Sequence, residues 1–172
     1  KFIYASIEKA MVEDPSRTRR LILQFDPASG SFTGQYQLYE VDAPNVSIAS
    51  LEAASNTELL VLERDTGQGE KAIIKRVYKI DFFDEVLTKT LICDLMDIRD
   101  DSGLTSAEDG AIGLGPKFSF PFVTPECLLV LDNQTLLIAN DNNYPMSSGR
   151  RPSLTPDDNE FIRLRLDQPL LP

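Results

Sequence analysis

The sequence contains no histidine. That absence removes the commonest general base, every Ser-His or Cys-His nucleophile pair and the usual zinc sites. Any chemistry must therefore run on carboxylates, Arg, Lys, Tyr or a hard cation held by oxygen. A basic excess is missing too, since 17 Lys+Arg stand against 27 Asp+Glu for a net charge of −10. The basic residues come in small groups with acidic neighbours, such as Arg17, Arg19 and Arg20 or Lys75 and Arg76. A phosphate backbone would be repelled, which argues against nucleic acid as a partner. No run of 18 apolar residues exists, so no transmembrane helix is expected. Gly-x-Ser-x-Gly, Walker-type and dinucleotide-binding motifs are all absent.

Cysteine is scarce. Cys93 and Cys127 both sit in apolar, strand-like runs, where a buried free thiol is the simpler expectation and a disulfide the alternative. The start, Lys1-Phe2-Ile3-Tyr4, resembles neither an initiator Met nor a signal peptide, so a mature form or an excised piece is expected.

What is present is a globular composition, 42 % hydrophobic over 172 residues, enough to bury a core. Apolar residues alternate over short runs bounded by Pro, Gly, Asn and Asp, and no dozen residues keep a helical period. The reading is all-β. A repeat also emerges. Leu21-Ile22-Leu23-Gln24-Phe25-Asp26, Arg76-Val77-Tyr78-Lys79-Ile80-Asp81 and Ile162-Arg163-Leu164-Arg165-Leu166-Asp167 share one pattern, a strand closed by an Asp suited to an Asx turn. Each follows a second kind of strand: Phe2 to Glu8, Leu59 to Asp65 and Leu136 to Asn142. These apolar runs ending in polar residues read as inner strands emerging at a common rim.

Leu51 to Ala54 and Glu126 to Leu131 precede the second and third inner strands, while Gln35 to Val41 and Leu87 to Leu95 supply outer edges. Four antiparallel strands per unit describe a β-propeller blade. A β-sandwich is the competing architecture, but it has no reason to repeat both strand types in order. The expected division is a blade over 1–46, a blade over 47–96, an insertion over 97–122 and a blade over 123–172. About three blades are present, whereas a ring needs at least four.

Ser50-Leu51-Glu52-Ala53 with Leu59 to Asp65, Lys75 to Asp81, Glu126 with Leu136 to Asn143, and Asp157-Asp158-Asn159-Glu160-Phe161 together resemble the "esterase-like activity of phytase" family. The resemblance implies a larger β-propeller of secreted, periplasmic or organelle-lumen type that hydrolyses phosphoesters or esters. This chain would be its C-terminal portion, with the remaining blades in the same precursor or another chain. The alternative is a non-catalytic propeller that binds or assembles.

In a propeller, ligands sit where strand ends and their loops converge. The expected positions are Glu63, Arg64 and Asp65 in one unit and Asn140 to Asn143 in the next, with Glu52 and Glu126 leading in. Oxygen-rich, histidine-free clusters suit calcium. The functional reading makes Glu52, Glu126, Asn140 and Asp141 the metal ligands, Glu63 a base or a further ligand, and Arg64 the holder of an anionic phosphoester or ester substrate. The competing reading treats these as turn residues and an internal Glu63–Arg64 ion pair. Arg150 and Arg151, in the loop from Asp141 to Asn159, are further candidates for substrate phosphate, or else solvated surface. An EF-hand over Asp97 to Glu108 fails, because Arg99 stands at position 3 and Gly103 at position 7. Phe118, Phe120 and Phe122 alternate onto one face, expected as a satellite core under the insertion or a docking patch. The sequons at Asn45 and Asn133 matter only in a eukaryotic secretory setting.

Overall fold

The computed structural model describes residues 1–108, 110–151 and 155–172. It is all-β, with, among the described residues, a single 3-10 turn at Gly69–Lys71. β1 (Ile3–Ser6), β2 (Arg19–Asp26) and β3 (Ser31–Glu40) form one antiparallel sheet in that order. β4 (Ser47–Ala53), β5 (Glu58–Arg64), β6 (Lys75–Asp81) and β7 (Thr90–Asp94) form the second. β8 (Ile98–Arg99) and β9 (Lys117–Phe118) make a small ribbon, and β10 (Pro125–Asp132), β11 (Thr135–Asn140) and β12 (Phe161–Arg165) close the chain as the third main sheet.

The repeat read from sequence has a structural counterpart. Phe25-Asp26 and Ile80-Asp81 end β2 and β6, and each Asp accepts an N–H from two residues on, Ala28 and Phe83, both at 2.9 Å. Asp132 does the same for Gln134 in the β10–β11 hairpin. Asp167, the third member of the set, pairs instead with Arg99 of the insertion at 2.8 Å. The opening strands also share a distortion. Ala49 is bulged out of the β4–β5 ladder between Ile48 and Ser50, and Glu126 out of the β10–β11 ladder between Pro125 and Cys127. Ile48 faces Glu63 and Pro125 faces Asn140, so the two bulges occupy one repeat position. Bulges bend a strand and re-aim its side chains.

The second sheet is the centre of the packing. On one face Leu59, Val61 and Ile80 meet Ile22 and Tyr39 of the first sheet, with Val41, Val46, Ile48 and Phe82 filling in. On the other face Leu60, Leu62 and Val77 meet Leu128, Leu136 and Ile138 of the third sheet. β5 is therefore buried on both faces, and each fully covered Leu contributes roughly 1.5–3 kcal/mol of transfer free energy. Phe118, Phe120 and Phe122 join that second cluster. They form no satellite core, because the insertion folds its aromatic edge between the second and third sheets.

Two expectations are corrected. Cys93 is packed and its thiol is pushed up to about 12 by burial, but Cys127 is exposed on the outer face of β10; both are free. Alternation places Cys127 opposite the buried Leu128. Second, β5 and β11 are not the strands at which the sheets converge. The first strands of the sheets, β1, β4 and β10, are, since the Val130 N–H of β10 approaches Glu52 of β4 at 3.5 Å and the Ile48 N–H of β4 bonds the Glu8 carbonyl past β1 at 3.3 Å.

Candidate functional site

The end of β5 places two ionisable side chains on opposite faces of one strand. Glu63 turns toward the first sheet and is wholly buried. Its Oε1 accepts from the Tyr39 hydroxyl at 2.5 Å and the Lys89 ammonium at 2.6 Å, and its Oε2 from the Asp42 N–H at 3.1 Å. Asp42 takes Lys89 at 2.5 Å, Tyr78 at 2.7 Å and Arg76 at 2.7 Å, while Arg76 also binds Asp94 at 2.9 Å. Burial alone would raise the Asp42 carboxyl, but the hydrogen bonds from Lys89, Tyr78 and Arg76 outweigh it and hold it below its ordinary value. Burial and the bond to Asp42 push the Tyr78 hydroxyl up to about 12, and burial with Glu63 moves Tyr39 in the same direction.

Arg64 turns the other way, toward the opening strands. Its Nη2 lies 3.1 Å from Glu8 and 3.5 Å from Glu126, the bulged residue of β10. Both glutamates are about half exposed, at 50 % and 44 %, whereas the Arg64 side chain is 10 % exposed. Its Nε is buried with no hydrogen-bond partner among the described residues. Such an orphan donor costs about 1–3 kcal/mol, and among the described residues it is the one buried side-chain polar atom without a partner. Glu63 and Arg64 therefore form no ion pair with each other.

The next residue, Asp65, is locked. Its carboxylate takes Lys75 at 2.6 Å and the Ile73 and Ile74 N–H groups, and Lys75, itself fully buried, completes three bonds with the carbonyls of Asp65 and Gly67. Glu63, Arg64 and Asp65 do not emerge at a rim as their polarity suggested; partners from distant segments cover Glu63 and Arg64, and the turn into β6 covers Asp65.

The remaining expected residues divide. Asn140 lies beside Glu126, since its ladder partner is Pro125. Its amide is used up, however, accepting the Glu160 N–H at 2.7 Å and donating to the Asp158 carbonyl at 3.1 Å. Asp141 is exposed at the same end, with its N–H bonded to the Thr124 carbonyl and its Oδ1 capping the Asn143 N–H at 2.9 Å. Glu52 is elsewhere. It pairs opposite Leu60, four positions from Arg64 along β5, which is about 13 Å of strand. Arg150 is 3 % exposed and forks onto Glu160 at 2.7 and 2.9 Å, while its guanidinium stacks 5.0 and 5.1 Å from the Phe118 and Phe122 rings. It pins the last loop to the insertion, which leaves nothing for a substrate phosphate. Arg151 pairs with Glu108 at the surface. Residues 152–154 of this loop lie outside the described residues.

The family model of the phytase-like proteins, described as esterase-like activity of phytase, matches residues 1–144. The chain belongs to this family. The match takes in Glu8, Glu63, Arg64, Glu126, Asn140 and Asp141 and stops before Arg150 and Arg151. No curated protein and no solved structure matches the chain.

The four residues expected to hold calcium do not fit the ion as a set in this phytase-like chain. Calcium takes six to eight oxygens, yet Glu52 sits at the far end of its strand and the Asn140 oxygen already accepts the Glu160 N–H. Among the described residues no three His, Cys, Asp or Glu side chains converge in a metal-holding group. The polar convergence at this end is instead Glu8–Arg64–Glu126, drawn from the segment after β1, from β5 and from β10. Sequence reasoning missed Glu8, Tyr39, Asp42 and Lys89, because each meets β5 across a long stretch of chain.

Proposed function

We propose that this chain is part of a phytase-like β-propeller hydrolase of phosphoesters or esters, with Arg64 as the anion holder at the junction of the three sheets. The observation that carries this reading is the Arg64 guanidinium, nine-tenths buried with its Nε unpartnered among the described residues. A guanidinium is the group that pairs with an oxyanion of a phosphoryl or carboxyl ester. Glu126, bulged out and half exposed, is placed to take a proton from water beside it. Glu63 is not part of this proposal, since it is wholly buried and both of its oxygens already accept hydrogen bonds, from Tyr39, Lys89 and Asp42.

In the same reading the blades are 1–46, 47–96 and 123–172, with 97–122 as the insertion, and further blades from the same precursor or another chain complete the ring. The outer face of the first sheet supports this. Ile3, Phe32, Tyr36 and Leu38 share that face and are 45–57 % exposed, while both faces of the second sheet are covered by neighbouring sheets. A fourth sheet packed in the same manner is the occupant that repeats the pattern. An extracellular, periplasmic or organelle-lumen location belongs to this reading as well, and is checked by where the full-length protein fractionates.

The test is hydrolysis of p-nitrophenyl phosphate and p-nitrophenyl acetate by the full-length protein, with calcium or with chelator, comparing wild type, Arg64→Met and Glu126→Gln. The proposal expects a loss of at least about tenfold in Arg64→Met, the effect of one lost charged contact. Equal rates in all three proteins retire the enzyme and leave the non-catalytic binding module. That second reading draws on the sealed state of Glu63, the buried carboxylate nearest the junction.

A further inference from the structure

The ammonium of Lys89 occupies a cage whose walls come from other parts of the chain. Tyr39 of β3 and Tyr78 of β6 present their rings, with Nζ 5.2 and 4.2 Å from the two centroids. Asp42 and Glu63 present oxygens at 2.5 and 2.6 Å. These walls are held without Lys89. Tyr39 donates to Glu63, Tyr78 and Arg76 donate to Asp42, and the Asp42 N–H donates to Glu63. Two π faces and two carboxylates around one point are the chemistry that binds an ammonium group.

Lys89 is the member that the framework does not hold. It ends the loop between β6 and β7, one residue before the first paired position, and its side chain is 23 % exposed. A cavity of about 330 Å³ opens beside it, floored by Val41 and Leu87 and edged by Thr18 and Glu40. The volume suits a small ligand. Its wall adds a third carboxylate, so a cation is favoured over an anion, and the two apolar residues offer a bed for an alkyl chain.

We propose that this cage is a binding site for a primary alkylammonium, filled in cis by Lys89, and that such a ligand enters through the cavity when Lys89 is withdrawn. The site does not depend on the hydrolase reading. A tethered lysine acts at a high effective concentration, so a free amine competes poorly with it in the wild type and binds readily once it is gone.

The experiment is thermal unfolding of wild type, Lys89→Ala and Lys89→Ala/Glu63→Gln in n-butylammonium chloride, tetramethylammonium chloride or NaCl at matched ionic strength. Lys89→Ala is expected to melt below wild type and to regain several degrees of Tm in n-butylammonium, saturably, with little change in the other two salts. Tetramethylammonium has no N–H to give the carboxylates. Wild type and the double variant are expected to show no such rise. A flat response of Lys89→Ala, or an equal rise in wild type or in tetramethylammonium, overturns the proposal. If Lys89→Ala does not accumulate in folded form, refolding yield from denaturant decides: recovery in n-butylammonium alone supports the site, and equal yields in all salts overturn it.

Discussion

Glu63 and Arg64 are neighbours on β5 and live in opposite circumstances. Around Glu63 every charge and hydrogen bond is closed: two phenols, two carboxylates, Lys89 and Arg76 satisfy one another under cover of the first sheet. Around Arg64 the arrangement is left open, with two half-exposed glutamates on one nitrogen and none of the described residues on Nε. The first pattern is what stability selects, since a half-satisfied buried network is costly. The second is tolerated only where something else completes it. One strand thus separates a sealed polar cluster from an open candidate site, whereas the sequence pattern placed Glu63 and Arg64 in one site.

The largest expected effect tests the closed side. Glu63→Ala strips a partly buried ammonium and a buried hydroxyl of a common, wholly buried partner, and breaking a buried pair costs about 3–5 kcal/mol. Urea unfolding should show the midpoint falling sharply at unchanged slope. A loss below about 1 kcal/mol would mean that the cluster is as loosely coupled as a surface pair, and the contrast with Arg64 would collapse.

How much of this was legible in the sequence depends on how far apart the partners lie. The strand repeat was readable because its signal is local: alternating apolar residues closed by Asp, at Asp26 and Asp81, where the Asx turns form. The sheet sequence of three, four and three strands follows from that pattern. The sealing of Glu63 was not readable, because Tyr39, Asp42 and Lys89 stand 24, 21 and 26 positions away, and nothing local distinguishes a strand-end Glu that is covered from one that is bare. Arg150 misled for a related reason. A basic pair in a Ser/Gly/Pro loop reads as solvated, yet Phe118, Phe122 and Glu160 bury it. The one local signal that was missed is the pair of bulges at Ala49 and Glu126, whose significance needs the ladder register.

Alkaline pH sharpens the comparison next. Tyr78 has its folded value raised from 10.0 to about 12 by burial and by its bond to Asp42. The neutral phenol is therefore favoured in the folded chain. The corresponding stability is fully present below the unfolded value and is lost as pH rises from about 10 through about 12. Tyr78→Phe should flatten the fall of Tm over that window while lowering Tm at neutral pH by the lost hydrogen bond. An unchanged alkaline slope would remove Tyr78 from the closed cluster.

Arg64→Met reads the open side. Its partners are half exposed and the lost bridges are worth about 0–1 kcal/mol, while removing the orphan Nε relieves a desolvation cost of similar size. Stability should stay within about 1 kcal/mol of wild type even if hydrolysis is abolished. A loss as large as that of Glu63→Ala would make Arg64 a second structural cluster.

Glu126→Gln should move stability least. The side chain keeps its volume, sits at a bulge where its own ladder bond is already absent, and touches Arg64 at 3.5 Å with 44 % exposure. The change expected is within about 0.5 kcal/mol, as for an exposed position. Function is where this substitution bites: an amide cannot take a proton from water as the carboxylate does, so kcat should fall while KM holds, whereas Arg64→Met should raise KM as well by losing the anion's partner. If Glu126→Gln leaves kcat unchanged and raises only KM, the bulged glutamate positions Arg64 rather than acting on water. The open side of β5 would then be a binding site whose proton chemistry lies on another residue.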